Sequence, residues 1–349
     1  MAIDLFCGAG GLTQGLHDAD FKTLLAIDIE PVAIETFKMN HAKKVPHILK
    51  QDIKDLTAET IFKLTGLKKG ELDLLAGCPP CQGFSSMRTK NGKVKIDDSR
   101  NDLVFQYMRL VRELLPKAVM MENVPGLAKD DRMKKVLNEL KELGYHVDDD
   151  TVQVVNLADY GVPQRRRRMA LATVKERPFT LKKPNMKKKT VKDTIGGKNT
   201  LPPVGTSGDI LHDWKTRRTQ KMLDYFKVLP KDGGSRSDTP REYWRPCHLK
   251  YPQGFKDVYG RMKWDDVAPT ITGGCDNPSK GRFIHPEENR AITLREAALL
   301  QTFPKDYKFA TSKGKTGVAL MIGNALPPKF IKYISSQLKE TLLSTDKSV

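Results

Sequence analysis

The chain has 349 residues, of which 39% are hydrophobic, and its 60 Lys and Arg against 42 Asp and Glu give a formal net charge of +18 at pH 7. This length and composition can bury a proper core, in one large domain with a smaller one or in two ordinary domains. The basic excess predicts a partner that carries phosphates, and the alternative is a basic surface that only solvates the protein.

Five cysteines, an odd and sparse set, occur in a chain with no apolar run of membrane-spanning length and no secretory leader. Free thiols in a reducing compartment are therefore expected in place of a disulfide framework. We expect a soluble, cytoplasmic protein without a membrane partner. The cysteines are Cys7, Cys78, Cys81, Cys247 and Cys275.

Residues 1–174 alternate short apolar runs with segments of helical spacing. Glycines end the first apolar run, and Pro31 opens a helix after the second one. This alternation predicts right-handed βαβ units and a doubly wound, mostly parallel α/β sheet, which binds ligands at the carboxyl ends of its strands. The predicted strands cover residues 2–6, 24–27, 72–76, 118–121 and 169–173, and the predicted helices cover 10–17, 31–39 and 102–115.

The composition changes after the last of these strands. Residues 175–289 are rich in Pro, Gly, Lys and Arg, contain all three tryptophans and have no long helical period. They predict a second, smaller and irregular domain with some short strands. Helical periodicity returns over residues 293–301 and 327–343, so we divide the chain into segments 1–174, 175–289 and 290–349.

The first predicted strand is followed by a glycine turn. Gly8, Gly10 and Gly11 let a ligand approach the backbone closely at a helix N-terminus. Asp28, at the end of the second strand, can accept hydrogen bonds from ribose hydroxyls. The spacing is not a clean dinucleotide fingerprint, so a nucleoside-type cofactor is predicted, with a tight structural turn as the alternative.

Cys78 and Cys81 form a C-x-x-C pair that is open to redox, zinc and nucleophile interpretations. A zinc site needs two more ligands, and Cys247 and Cys275 show no paired spacing. Residues 82–100 are polar and too long for an ordinary connection, which predicts a mobile lid. A thiol nucleophile exposed at a cleft is therefore favoured.

Two further groups follow. Glu122 ends an apolar strand and is a candidate acid, and its alternative role is a helix cap or salt bridge. Residues 165–168 are four arginines before another strand, and such charge runs are usually solvated. Since strand residues alternate faces, either Arg166 and Arg168 or the other two face the cleft, and the pattern does not choose between the pairs.

In their order along nearly the whole chain, these segments resemble the motifs of the DNA cytosine-5 methyltransferases, especially the bacterial enzymes of restriction–modification systems. The resemblance implies a doubly wound, Rossmann-like methyltransferase sheet, a smaller irregular target-recognition domain over 175–289, and a return segment that completes the cofactor pocket. The motif-like segments are residues 4–11, 28–29, 52–53, 80–82, 122–124, 164–168, 269–274, 294–304 and 323–327.

The resemblance also implies roles for single residues. The catalytic residues would be Cys81, Glu122, Arg166 and Arg168. The cofactor, S-adenosylmethionine, would contact Phe6, Gly8, Gly10, Gly11, Leu12, Asp28, Ile29, Asp52, Ile53, Pro80, Leu103 and Asn324. DNA would contact Gln82, Ser85, Arg88, Gln164, Thr270 and Thr272, and no metal is implied.

The implied reaction is methylation of the C5 carbon of a cytosine within a specific sequence of double-stranded DNA. Cys81 attacks C6, Glu122 acts on N3, and Arg168 steadies the edge of a base that has been flipped out of the duplex. The resemblance further implies a monomer that forms no stable complex with a cognate restriction endonuclease.

Three other interpretations compete with this one. A transfer-RNA cytosine methyltransferase of the same superfamily would have a shorter recognition region and a different sequence after Cys81 and Gln82. A non-catalytic DNA-binding protein would not need Cys81, Glu122 and Arg168. A dehydrogenase would leave the cysteine loop and the basic second domain unexplained.

Overall fold

The computed structural model describes residues 1–80 and 103–344 of the chain. These residues contain a seven-stranded sheet. Its strands are β1 (Ala2–Leu5), β2 (Thr23–Asp28), β3 (His47–Lys50), β4 (Leu74–Gly77), β5 (Ala118–Asn123), β6 (Val152–Asn156) and β7 (Arg167–Val174). They lie in the order β3-β2-β1-β4-β5-β7-β6. Strands β1 to β5 pair in parallel, and β7 is antiparallel to both of its neighbours. The predicted mostly parallel α/β sheet is confirmed.

Twelve α-helices of the described residues surround or follow this sheet. They are α1 (Gly11–Asp18), α2 (Pro31–His41), α3 (Ala58–Thr65), α4 (Leu103–Leu114), α5 (Asp131–Glu142), α6 (Val191–Ile195), α7 (Ile210–Asp213), α8 (Gln220–Val228), α9 (Pro246–Lys250), α10 (Leu294–Leu300), α11 (Gly314–Asn324) and α12 (Pro328–Leu343).

Helices cover both faces of the sheet. On one face α3, α4 and α5 bury apolar side chains such as Tyr107 and Val136. On the other face α1 packs against the C-terminal helix α12. A Cβ atom on Gly15 of α1 would lie 2.4 Å from the Cβ atom of Ile331, so this close approach requires glycine. The end of the described chain thus returns to the first βαβ unit.

Sequence patterns missed β3, β6, α3, α5 and α11. The two strands lie at the two edges of the sheet and are only partly buried, so neither has the continuous apolar run of a central strand. Helix α5 has a strongly polar outer face, and only Met133, Val136 and Leu140 are buried. Short or half-exposed elements carry the weakest hydrophobic pattern.

Residues 175–289, all of them described, contain no strand, so the prediction of short strands there is wrong. The region is built from helices and turns that are joined by isolated bridges such as Arg261–Ile284. It has a small apolar core of its own, which includes Tyr225 and Phe226.

In the irregular region, residues 175–289, hydrogen bonds from the side chain of Arg261 join segments that no strand pairing connects. Its side chain is completely buried, and burial lowers the pKa of its guanidinium. The guanidinium nevertheless keeps partners for its N–H groups, because it donates to backbone and side-chain oxygens from two separate segments. The acceptors are the carbonyl oxygens of Phe226, Leu229, His285 and Glu288 and the side-chain oxygen of Asn289.

Replacing Arg261 by methionine should destabilise the protein strongly. Each buried carbonyl that loses its donor costs about 1–3 kcal/mol, so we expect the free energy of unfolding to fall by about 3 kcal/mol or more. Chemical denaturation of Arg261→Met measures this change. Arg217→Met, at an exposed position of the same region, is the control and should stay within about 0.5 kcal/mol of the parent. Equal stability of the two variants would contradict the role given to Arg261.

Candidate active site

A cleft of about 900 Å³ opens at the carboxyl ends of the parallel strands, where ligands of doubly wound sheets bind. Its wall is completed by the last turns of α11 and the segment that follows that helix. The cleft is lined by all of the predicted cofactor residues except Gly10: Phe6, Gly8, Gly11, Leu12, Asp28, Ile29, Asp52, Ile53, Pro80, Leu103 and Asn324. The predicted catalytic residues Glu122, Arg166 and Arg168 line the same cleft.

Gly8 and Asp28 form the part of the cleft nearest to β1 and β2. Gly8 has a φ of +53°, and a Cβ atom placed there would meet nothing within 4 Å, so the backbone faces open space. Its N–H donates to one carboxylate oxygen of Asp28 at 2.8 Å, and the N–H of Glu30 donates to the other at 2.8 Å. Burial raises the pKa of Asp28. Each oxygen keeps a lone pair, so the carboxylate is fixed and can still accept from a ligand hydroxyl.

Gly10 is the one predicted cofactor residue that does not line the cleft. Its φ of +90° favours glycine, and a Cβ atom at this position would lie 2.6 Å from the hydroxyl of Tyr307 and 2.7 Å from the ring of His41. That hydroxyl donates to the carbonyl of Ala9 at 2.6 Å. Gly10 therefore permits the turn to pack against Tyr307 behind the cleft, in place of lining the cleft.

Glu122 is the buried acid of the site, with 5% of its surface exposed at the end of β5. The Nε of Arg168 lies 3.0 Å from Oε1 of Glu122, and the thiol of Cys78 donates to Oε2 at 3.1 Å. A buried carboxylate requires such partners, because desolvation without them is costly. The ion pair places Glu122 and Arg168 side by side at the edge of the cleft.

The arginine run alternates as a strand does. Arg166 is buried and Arg168 is half-buried, whereas Arg165 and Arg167 are exposed. The sequence pattern left two pairs open, and the structure selects Arg166 with Arg168, the pair that the resemblance implied. Arg165 instead forms a surface ion pair with Asp266 at 3.1 Å.

The guanidinium of Arg166, a predicted catalytic residue, donates to backbone carbonyl oxygens. It donates to the carbonyl oxygens of Ile271 at 3.0 Å, Gly323 at 3.2 Å and Ala325 at 3.2 Å. Burial lowers the pKa of Arg166 to about 9, and the nearby Arg168 acts in the same direction. Arg166 thereby joins the segment at Ile271 to the cleft wall at Gly323 and Ala325, and these N–H groups are not free to reach a substrate.

Gln164, a predicted DNA contact, is completely buried in the DNA-free protein. Its Nε2 donates to the carbonyl of Leu300 at 3.1 Å and to the side-chain oxygen of Gln301 at 2.6 Å. Its Oε1 accepts from the N–H of Ile271 at 3.0 Å. Gln164 and Arg166 thus hold the N–H and the C=O of the same residue, Ile271. We call Gln164, Arg166 and Gln301 the buried polar junction.

Thr270 and Thr272, the other predicted DNA contacts that are described, lie beside this junction and are half-buried. The hydroxyl of Thr270 donates to the carbonyl of Arg165 at 2.5 Å. A Cβ atom on Gly323 would lie 2.1 Å from the carbonyl carbon of Thr272, so α11 touches this loop directly. Their contact with DNA stays a prediction.

Four further predicted site residues and the predicted lid over residues 82–100 lie outside the described residues. The four residues are Cys81, Gln82, Ser85 and Arg88.

Sequence reasoning gave no role to Cys78 or Asn123, although both belong to segments that it singled out. Asn123 donates through Nδ2 to the carbonyl of Pro79 at 2.9 Å and accepts from the N–H of Val124 at 2.8 Å. For Asn123, the available signal was its position next to Glu122, the candidate acid. Lys313 and Leu320, which also line the cleft, had no such signal, because helix α11 itself was not predicted.

One group of described side chains has metal-ligand chemistry. Single ligand atoms of His285, Glu288 and Glu296 lie within 4.8 Å of one another. Arg290 already forms ion pairs with both carboxylates, at 2.7 Å each, and supplies the positive charge that a metal would bring. We assign no metal to this group.

Comparison with known proteins identifies the family. The family model of C-5 cytosine-specific DNA methylases matches residues 1–340. The type II methylase M.HgiDII of Herpetosiphon aurantiacus is 37% identical, over 97% of this chain and 95% of its own length. The type II methyltransferase M.XorII of Xanthomonas oryzae pv. oryzae is 32% identical, over 98% of this chain and 85% of its own.

A solved structure agrees with these relatives. A protein of an E. coli prophage, assigned to the DNA modification methyltransferases, superposes with a TM-score of 0.70 at 26% identity and covers 98% of this chain and 99% of its own. The chain therefore belongs to the C-5 cytosine-specific DNA methylase family and is a DNA cytosine-5 methyltransferase. The predicted family, fold and enzyme class are confirmed. Within residues 1–80 and 103–344, no helix combines the length and the apolar character that crossing a membrane requires.

Gln164→Leu tests whether this glutamine is a buried brace or a DNA contact. The substitution leaves the Ile271 N–H and the Leu300 C=O without partners, so we expect the free energy of unfolding without DNA to fall by about 2 kcal/mol or more. Thermal or chemical denaturation of the DNA-free protein measures this. The exposed Gln253 provides the control Gln253→Leu. Weaker DNA binding at unchanged stability would restore the original prediction.

Proposed function

We propose that this chain is the modification enzyme of a type II restriction–modification system, which methylates the C5 carbon of one cytosine within a specific duplex sequence. The observation that carries the proposal is the buried Glu122, held by Arg168 at 3.0 Å in the cleft that also contains the predicted cofactor residues. The type II methylases M.HgiDII and M.XorII, which match nearly the whole chain, support the restriction–modification context.

The cofactor is S-adenosylmethionine, which supplies an electrophilic methyl group when it is bound. The residues present fit such a nucleoside. The open space at Gly8 admits a ligand to the backbone at the start of α1, and the carboxylate of Asp28 offers free lone pairs for ribose hydroxyls. Asp52 and Asn324 line the same cleft and would bind other polar atoms of the cofactor.

Cys81 is the proposed nucleophile, on the strength of its sequence position. Cytosine C5 is a poor nucleophile until a thiolate adds to C6, which forms an S–C6 bond and moves electron density onto C5 and the ring nitrogen N3. C5 would then take the methyl group of the bound cofactor, whose S–CH3 bond breaks to leave a neutral thioether. The proton on C5 leaves to water or hydroxide. The C5=C6 double bond then re-forms, and the S–C6 bond breaks to release Cys81.

Glu122 and Arg168 are the proposed stabilisers of that intermediate. Glu122 hydrogen-bonds or protonates N3, which removes the negative charge that attack at C6 would build on the ring. Arg168 contacts Oε1 of Glu122 and, being half-buried at the cleft, would also steady the edge of the base. A buried and fixed acid supports this role, because it needs no reorganisation when the charge develops.

The substrate proposed is double-stranded DNA, and its target base must be flipped out, which costs a few kcal/mol. The net charge of +18 supports binding to the phosphate backbone, with strong salt dependence. Base contacts would come from the irregular region, residues 175–289, including Thr270 and Thr272. We further propose a cytoplasmic monomer that makes no stable complex with a cognate endonuclease.

Methyl transfer from labelled S-adenosylmethionine tests the substrate. We expect label in duplex DNA and none in transfer RNA, and labelling of RNA alone would favour the transfer-RNA enzyme. Bisulfite sequencing of DNA from cells that express the protein then gives the target sequence and the modified cytosine. Methylation scattered without a fixed sequence would contradict the restriction–modification role.

Duplex DNA that contains 5-fluorocytosine tests Cys81. Fluorine at C5 blocks release of the thiol, so the parent enzyme should form a covalent complex that survives denaturing electrophoresis. Cys81→Ser should form none, and a complex that persisted in this variant would exclude Cys81 as the nucleophile. The control is Cys247→Ala, an exposed cysteine outside the cleft, which should trap normally.

Glu122→Gln tests the acid. It removes the ability to supply a proton to N3, so the single-turnover rate of methyl transfer should fall about 10²-fold or more. The dissociation constant for DNA should change by less than about threefold, because binding depends mainly on phosphate contacts. Losses of similar size in rate and binding would assign Glu122 a purely structural part.

A further inference from the structure

The thiol of Cys78 lies against the acid of the cleft. Its S–H donates to Oε2 of Glu122 at 3.1 Å, while the Nε of Arg168 lies 3.0 Å from Oε1. Each oxygen of the buried carboxylate thus has one neighbour on its own side. Oε2 is thereby held by a hydrogen bond, and Oε1 lies at ion-pair distance from Arg168.

Cys78 is suited to donate. Burial and the adjacent Glu122 raise the pKa of this thiol well above its ordinary range, and Arg168 and Arg166 only partly oppose this. The sulfur therefore carries its proton, and a neutral thiol next to a carboxylate acts as a donor. A charged thiolate would repel the acid, and a redox or metal role would require the deprotonated sulfur.

A second contact runs parallel to the first. In the sheet, Gly77 of β4 is paired with Met121 of β5. Beyond that pair, side chains continue the register, because Cys78 donates to Glu122 and Asn123 donates to the carbonyl of Pro79 at 2.9 Å. Two successive residues of the loop after β4 are thus attached to the two last residues of β5.

We propose that Cys78 is a positioning residue, whose S–H bond to Oε2 of Glu122 holds the acid at the orientation needed for its action on the base. This inference rests on the proposed function, in which Glu122 is that acid. Cys78 itself touches neither the base nor the cofactor in this role. Arg168 and Asn123 complete the arrangement, from the other oxygen of Glu122 and from the carbonyl of Pro79.

Serine and alanine at position 78 should behave differently. Cys78→Ala removes the donor, and because hydrogen bonds to charged groups are among the stronger ones, the single-turnover rate should fall about tenfold. Cys78→Ser retains an O–H and should stay within about threefold of the parent. Because the proposed role of the thiol is its contact with Glu122, the dissociation constants for DNA and cofactor should change by less than about twofold in both variants.

A double-mutant cycle with Glu122→Gln tests the contact, because the amide oxygen is a weaker acceptor for the S–H than the charged carboxylate. The variants are Cys78→Ala, Glu122→Gln and their combination, with Cys247→Ala as the control for loss of a thiol elsewhere. We expect Cys78→Ala to slow methyl transfer in the parent and to have little further effect once Glu122 is glutamine. Denaturation curves of each variant show whether any loss of rate reflects loss of folded protein.

The outcomes separate the two proposals. An equal slowing by Cys78→Ala in both backgrounds, or no slowing in either, would overturn the positioning role of Cys78 and leave the proposed function intact. A Glu122→Gln enzyme with the full rate would instead overturn the acid assignment. Tenfold slowing that serine relieves and that Glu122→Gln abolishes is the result expected.

Discussion

The burial of a carboxylate at the end of β5 is the constraint around which the site is arranged. A group as enclosed as Glu122 requires a cation, and Arg168 reaches it only because β7 runs antiparallel beside β5 and brings its first residues to the same edge of the sheet. The reversed strand of an otherwise parallel sheet thus has a chemical consequence. It delivers an arginine where parallel strands supply glycine turns, a thiol and an acid.

The buried polar junction extends this arrangement to the loop that contains Ile271, next to the proposed DNA contacts Thr270 and Thr272. Gln164 and Arg166 precede β7 with one residue between them. Together they bind the backbone N–H and C=O of Ile271. Arg166 and Gln301 also share the carbonyl of Ala325, which lines the cleft. A displacement of the loop that contains Ile271 therefore strains hydrogen bonds that end at the cleft wall. The loop and the cleft wall are thus held by one set of donors.

The sequence predicted what is local in the chain. The glycine turn, Asp28 and Glu122 each follow an apolar strand within a few residues, so their place at one edge of the sheet follows from the βαβ pattern. The packing of Gly10, Gln164 and Arg166 could not be predicted because their partners are remote: 107 residues separate Gln164 from Ile271, and 157 separate Arg166 from Gly323. No periodicity encodes such pairings. The irregular region was recognised by composition, but its internal contacts could not be inferred.

Arg261 shows how a region without strands can keep a fixed shape while its surface changes. One guanidinium donates hydrogen bonds to four main-chain carbonyls, and a carbonyl is present whatever side chain its residue bears. The side chains around Arg261 can therefore change over evolution without loss of these hydrogen bonds. Under the proposed role of this region in DNA recognition, substitutions at its surface change the sequence specificity while the sheet and the cleft are left untouched.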